Sequence, residues 1–435
     1  MTCRIARDRP ISDNSGHKTQ TAASPHKERV IATKVLILAG DTDGNLGDLA
    51  IVTATCESLR SIDPEVRISL LTAHPERDRR RLGIVPLRRG WRGLPRLMKA
   101  AWDADLVVCG GGGLFQDDDS LLKMPYWALR LSFLRLISKR MAGLSIGAGP
   151  LRHPVSRLFG RLAMKVLNPI SVRDSLALDV MQPLTRKSVL VVPDPAFMLQ
   201  PAPEAEAAKL LRSAGVPMDK PLVGVAVRRW FHTSSNLVPY RHAARLGLRR
   251  DQGRAMMSAF NESIAAALNT IVGQLNVHVV FMPTYDTRYE NDTAVCNEIA
   301  TRMVADSCTV VNIDDPKLYK AATGFLSVML CGRMHAAILA AGQGIPIIGL
   351  AYNQKSFGMF SLLGHGARCL SMTQFVWNRE SPRLVAMLRE AIRQPDQFRP
   401  DTSTLEKETF RFLERLVSIT GPPPRAETEL QTQRN

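Results

Sequence analysis

One unit recurs along this sequence: a short apolar run that ends in glycine or charge, followed by a stretch of helical length. Lys34-Val-Leu-Ile-Leu-Ala39 runs into Gly40, and the unit returns at Val66–Thr72, Asp105–Cys109, Ala142–Ile146, Ile170–Val172 and Val189–Val192. Apolar runs this short, without polar alternation, are strands buried on both faces. Strand alternating with helix then gives a parallel sheet covered by helices. After Pro193–Pro203 the pattern restarts, with strands expected at Leu222–Val227, Val277–Met282, Cys308–Ile313, Phe325–Leu330 and Pro346–Ala351.

A chain of 435 residues exceeds what one core usually serves. The fold expected is therefore α/β, with two Rossmann-like domains facing across a cleft. They span residues 34–200 and 215–400, with a linker at Pro193–Pro203. Residues 401–420 form a C-terminal helix. Residues 1–33 read as a disordered basic arm and 421–435 as a disordered tail. Residues 231–253, polar and arginine-rich without period, read as a long loop or lid.

The formal charge of +17 is an argument about partners rather than fold. Arginines cluster at 77–96, 130–161 and 241–254. With aromatics at 6% and no helix-turn-helix, zinc-finger or RNP signature, nucleic acid is the weakest reading. A phosphorylated or membrane-borne substrate fits better, as does peripheral contact with an anionic membrane. Seven scattered cysteines without a C-x-x-C pair suit reduced thiols. No signal peptide and no run of about 18 apolar residues is evident. The location expected is cytoplasmic, at most peripheral at the inner face of the membrane.

Three glycine-rich turns close strands of the first half. Gly40-Asp-Thr-Asp-Gly-Asn-Leu-Gly-Asp48 places Gly47 where a helix N-terminus favours an anion, and Asp48 reads equally as helix cap or site carboxylate. Gly110, Gly111 and Gly112 open a four-glycine run, and Gly147 and Gly149 lie in Ser145-Ile-Gly-Ala-Gly-Pro150. Ligands of open α/β sheets bind at this edge. Gln116-Asp117-Asp118-Asp119 admits a Mg²⁺ or Mn²⁺ site or a solvated acidic cluster. In the second half, Arg228, Arg333, His335 and Lys355 all follow strands. Together they make a cationic pocket with one titratable acid/base.

In order, Asn45-Leu-Gly-Asp-Leu-Ala-Ile51, Gly110-Gly-Gly-Gly-Leu-Phe-Gln-Asp117, Ser145-Ile-Gly-Ala-Gly-Pro150, Val172-Arg-Asp174, Asp194-Pro-Ala-Phe197, Arg333-Met-His335 and Tyr352-Asn-Gln-Lys355 resemble the polysaccharide pyruvyl transferase family. Met334 stands where that family typically has Leu, and Asn353 where it often has Asp. The resemblance implies a GT-B-like fold and transfer of a pyruvyl group from phosphoenolpyruvate to a saccharide, forming a ketal. The acceptor is a polysaccharide sugar or its lipid-linked precursor. On that reading His335 is the general acid, with Arg333 and Arg228 as clamps on phosphate and carboxylate. Lys355 is a further anion ligand, and Asp48 or Asp117 handles the acceptor hydroxyl. Phosphoenolpyruvate is a co-substrate, and the scheme requires neither metal nor cofactor. Competing expectations are a GT-B-like glycosyltransferase using a nucleotide sugar and a non-catalytic scaffold for polysaccharide assembly at the membrane surface.

Overall fold

Two parallel sheets organise the chain. The computed structural model describes residues 32–40, 42–118, 120–230, 253–287 and 290–418. The expectations for residues 1–31, 231–252 and 421–435 lie outside these.

The first sheet comprises β1 (Lys34–Leu38), β2 (Arg67–Thr72), β3 (Val85–Arg88), β4 (Leu106–Gly110), β5 (Met141–Ile146), β6 (Ile170–Val172) and β7 (Val189–Val191). Its helices are α1 (Leu46–Ile62), α2 (Pro75–Leu82), α3 (Leu94–Asp103), α4 (Lys123–Arg135), α5 (Pro154–Val166) and α6 (Ser175–Met181). Helix α7 (Glu204–Ser213) leads to the second sheet: β8 (Leu222–Ala226), β9 (His278–Phe281), β10 (Cys308–Val310), β11 (Val328–Cys331), β12 (Ile347–Ala351) and β13 (Cys369–Ser371). Around it lie α8 (Arg254–Leu275), α9 (Asp292–Ala300), α10 (Pro316–Thr323), α11 (Met334–Ala341) and α12 (Gln354–Leu362). The chain closes with α13 (Met372–Trp377), α14 (Ser381–Arg393) and α15 (Ser403–Ser418).

Every residue of β4, β5, β8 and β12 is buried, as strands covered on both faces must be. The strand orders are β3-β2-β1-β4-β5-β6-β7 and β10-β9-β8-β11-β12-β13. Each order reverses once, between β1 and β4 and between β8 and β11. Such reversals splay the connecting loops apart and leave a crevice at the carboxyl ends of the strands. The segments after β1, β4, β8 and β11 carry Gly47, the glycine run, Arg228 and His335. The topology therefore brings those motifs to the two crevices.

A continuous apolar core joins the halves, from Leu49 and Ile51 of α1 to Ala337 and Ile338 of α11. A fully buried Leu or Ile contributes roughly 1.5–3 kcal/mol. Backbone bonds also cross: the Leu46 N–H donates to Thr284 at 3.0 Å, and the Asp286 N–H to Gly44 at 2.9 Å.

One sequence expectation is corrected here. Pro193–Pro203 does not begin as a linker, because Pro195–Met198 forms a buried 3-10 turn. Its apolar side chains pack on α1, α11 and α15, and the Lys320 ammonium donates to the Leu199 carbonyl at 2.7 Å. Helix α15 returns to the first half, where the Thr409 hydroxyl donates to the Pro193 carbonyl at 3.1 Å.

Candidate active site

Helix α1 starts at Asn45, whose side chain accepts from the N–H groups of Gly47 and Asp48. Asn45, not Asp48, is thus the cap. Gly47 is glycine because His335 of the second half lies against it: a β-carbon at 47 would stand 2.0 Å from His335 Nδ1. The ring's other edge faces Asp194, with Nε2 3.6 Å from Oδ2. That separation exceeds a hydrogen bond but falls within ion-pair range. Asp194 caps the buried 3-10 turn through the Ala196 N–H at 3.0 Å, and Arg173 Nη1 lies 3.8 Å from Oδ2. Burial works to raise the Asp194 pKa. The neighbouring His335 and Arg173 and the Ala196 N–H outweigh it and hold the carboxyl below its usual range.

A second reach across the cleft comes from Lys355 in the first turn of α12. Its Nζ lies over the glycine run of the first half, where a β-carbon on Gly113 would come within 2.8 Å. Burial, with Lys123 and Arg173 adding like charge, pulls the Lys355 ammonium down to about 7, although Asp118 and Asp174 favour its charge. Gln116 Oε1, a buried oxygen without a hydrogen-bond partner among the described residues, also lies at Gly113, 2.8 Å from the place of its β-carbon. Buried polar groups ordinarily pair, so this oxygen is open to a polar ligand contact.

Gly111 and Gly112 adopt φ of +78° and +82°, a left-handed conformation that favours glycine. A β-carbon on Gly112 would stand 2.6 Å from Asp48 Oδ1, which places the half-buried Asp48 carboxylate between the ends of β1 and β4. Gly110 presses on the Leu144 carbonyl, and Gly147 lies between Gly112 and Arg173. Gly149, with φ of +81°, turns the chain beside Val180.

Three expected site residues have partners within the protein. Arg333 is not an open clamp: its guanidinium donates to Asp292 at 2.8 and 2.6 Å and to Glu290 at 3.0 Å. Burial alone would lower its pKa, but Asp292 and Glu290 outweigh that and raise it. Arg228 shares Glu290 at 3.2 Å and stacks 4.0 Å from the Tyr352 ring centroid. The physical reason is common to both, since a buried guanidinium needs counter-charge. Asp117 is 1% exposed and accepts the His153 N–H at 2.9 Å, which ties it to the turn after Pro150. Asp119 lies outside the described residues, and among those described no cluster of three potential metal ligands occurs.

Asp194 lies beside His335, and Glu290 and Asp292 pair with Arg333; the motif reading gave none of them a role. Asp194 carried a usable signal, a carboxylate directly before Pro-Ala-Phe at the end of a strand. Glu290 and Asp292 sit in a polar stretch with no local signature.

The strand orders and the paired crevices define a class: two-domain α/β proteins of the GT-B type, with two Rossmann-like halves. Solved structures agree. UDP-GlcNAc 2-epimerase from Methanocaldococcus jannaschii superposes with a TM-score of 0.59 at 11% identity, covering 89% of this chain and 100% of that one. The Neisseria meningitidis UDP-GlcNAc 2-epimerase bound to UDP-GlcNAc gives 0.52 at 11%, over 89% and 99%. Sucrose-phosphate synthase from Thermosynechococcus elongatus gives 0.51 at 13%, over 89% and 96%. At these identities the likeness concerns the fold alone. Residues 45–354 match the profile of the polysaccharide pyruvyl transferase family, and the chain belongs to that family of transferases. No curated protein sequence matches it significantly.

Proposed function

We propose that the protein transfers the pyruvyl group of phosphoenolpyruvate to two hydroxyls of a saccharide, forming a cyclic ketal. The observation that carries this reading is the pairing of an imidazole with a buried carboxylate beside a cationic corner. His335, backed by Asp194, supplies a proton, and Lys355 with the helix ends beside it receives an anion.

Protonation of the methylene carbon by His335 leaves an oxocarbenium-like centre at the adjacent carbon. A sugar hydroxyl attacks there, forming a carbon–oxygen bond. The bond to the phosphate oxygen then breaks, and the second hydroxyl closes the ring. Of the two hydroxyl protons, one restores His335 and the other leaves with phosphate. The Asp194 carboxylate fixes the ring's orientation. A donor carrying both a phosphate and a carboxylate also supplies the anion that Lys355, Lys123 and Arg173 together favour. Arg228 and Arg333 act one layer back, shaping the pocket with Glu290 and Asp292 rather than gripping the donor. Asp48, held between the ends of β1 and β4, is the carboxylate placed to orient the acceptor. The acceptor class is a polysaccharide sugar or its lipid-linked precursor.

Replacement of His335 by Ala should lower acceptor-dependent phosphate release by at least about 100-fold. The unfolding midpoint should stay near that of wild type. Near-wild-type turnover in His335→Ala would remove the imidazole from the chemistry.

A further inference from the structure

The outer face of the first half carries an apolar surface that the fold leaves uncovered among the described residues. Helices α4 and α5 pack together, and α3 shares the core beneath them on one face of the first sheet. Leu97, Ala101, Trp127, Leu131 and Ala163 share the core beneath them. Their opposite sides should be polar, yet α4 exposes Leu122, Tyr126, Leu129, Phe133 and Leu136. The spacing is four, three, four, three, so one stripe runs the length of the helix. Leu129 and Leu136 are 57% and 82% exposed. The segment leading through α3 exposes Trp91, Leu94, Met98 and Trp102, with Trp91 at 79%. Helix α5 adds Val155 and Leu158.

Charge identifies the occupant. Asp103, exposed at the end of α3, is the one carboxylate in the three helices, whereas Arg92, Arg96, Lys99, Arg135, Arg161 and Lys165 stand exposed among the apolar side chains. Arg92 lies 5.1 Å from the Trp91 ring centroid, and Arg130 lies 4.2 Å from that of Tyr126. A second copy of the chain would set cations against cations, because a two-fold interface pairs a patch with itself. Exposed tryptophans, long aliphatic side chains and unopposed arginines instead suit the headgroup layer of an anionic bilayer. No described helix is long and apolar enough to cross a membrane, so this surface lies on the bilayer rather than in it.

We infer that α3, α4 and α5 form a docking face for an anionic lipid bilayer. The face joins the cleft through Leu122, since α4 begins directly after the segment that follows the glycine run of β4. Docking here holds one rim of the cleft at the membrane. The inference rests on surface chemistry and does not depend on the donor or the reaction.

The test is co-sedimentation of the full chain with phosphatidylcholine vesicles, with and without about one-third phosphatidylglycerol. Binding should require phosphatidylglycerol and fall as salt is raised. Arg92→Gln with Arg96→Gln should weaken it about tenfold, and so should Leu129→Ser with Phe133→Ser. Equal binding to both vesicle types, no binding, or binding unchanged in both double variants would overturn the inference. So would a dimer in light scattering that Leu129→Ser with Phe133→Ser dissolves while vesicles are ignored, since the occupant would then be a second copy.

Discussion

At the scale of single residues the site is held by contacts that span the two halves. Gly47 belongs to one half and the His335 ring that fills its place belongs to the other. Alanine at 47 gains helix propensity, at most about 1 kcal/mol. Its β-carbon, however, falls 2.0 Å from His335 Nδ1, so the ring must move. A displacement near 1 Å at a reacting group costs about 100-fold. Gly47→Ala should therefore lose that much turnover while unfolding no earlier in heat, and a kinetic comparison with wild type checks it. Lys355 gives a second prediction. Its ammonium is pulled down to about 7, so above that pH it is mostly neutral in the free protein. A phosphate group beside it favours the charged form, and binding must then take up a proton. Calorimetry of phosphoenolpyruvate binding near pH 8, in buffers of different ionisation enthalpy, should show uptake approaching one proton per site. Lys355→Met should abolish the uptake and weaken binding. Affinity should fall as pH rises through and beyond 7.

Legibility at this scale followed sequence locality. His335, Lys355 and the glycines announce themselves because each sits at the end of a recognisable strand. Asp292 does not: only the fold brings it to Arg333 across 41 positions. An arginine in sequence carries no mark of whether its counter-charge is already supplied. That is why Arg333 and Arg228 read as open clamps.

At the scale of elements, strands buried on both faces were readable from their unbroken apolar runs. The strands that escaped, β3 and β13, are sheet-edge strands of four and three residues. They have too little length for a pattern. Pro193–Pro203 misled for another reason: prolines signal a break in regular structure, and burial of Pro195–Met198 is decided by what packs there. Helix α9 gives this scale its prediction. Its first turn holds Asp292, fully buried beneath Arg333. Asp292→Ala takes from a buried guanidinium its bidentate partner, leaving Glu290 and the Tyr285 ring among the described residues, and should cost about 3–5 kcal/mol in urea unfolding. Asp292→Asn, which keeps an oxygen acceptor, should lose less. An Asp292→Ala protein as stable as wild type would show that the pair is not an anchor between α9 and the β11–α11 corner.

For the molecule as a whole, two sheets that each reverse strand order once create two crevices, and the shared core sets them against each other. This is why motifs separated by hundreds of residues meet: the turns after β1 and β4 from one sheet, and those after β8, β11 and β12 from the other. Two Rossmann-like halves were legible from the recurring strand–helix unit alone. The relation of His335 to Gly47, and of Lys355 to Gly113, was not, because it depends on how the halves dock. Many chemistries share this architecture. What distinguishes this cleft is its content, an imidazole backed by a buried carboxylate and a lysine whose burial outweighs the pull of Asp118 and Asp174.

The central claim is tested most directly by incubating the protein with phosphoenolpyruvate and saccharide acceptors, lipid-linked oligosaccharides included. Phosphate release and acceptor mass are followed together. The account predicts acceptor-dependent phosphate release matched one-to-one by a pyruvyl ketal on the acceptor, with UDP-sugars giving no product. Glycosyl transfer from a UDP-sugar, with phosphoenolpyruvate left intact across the same acceptors, would contradict it.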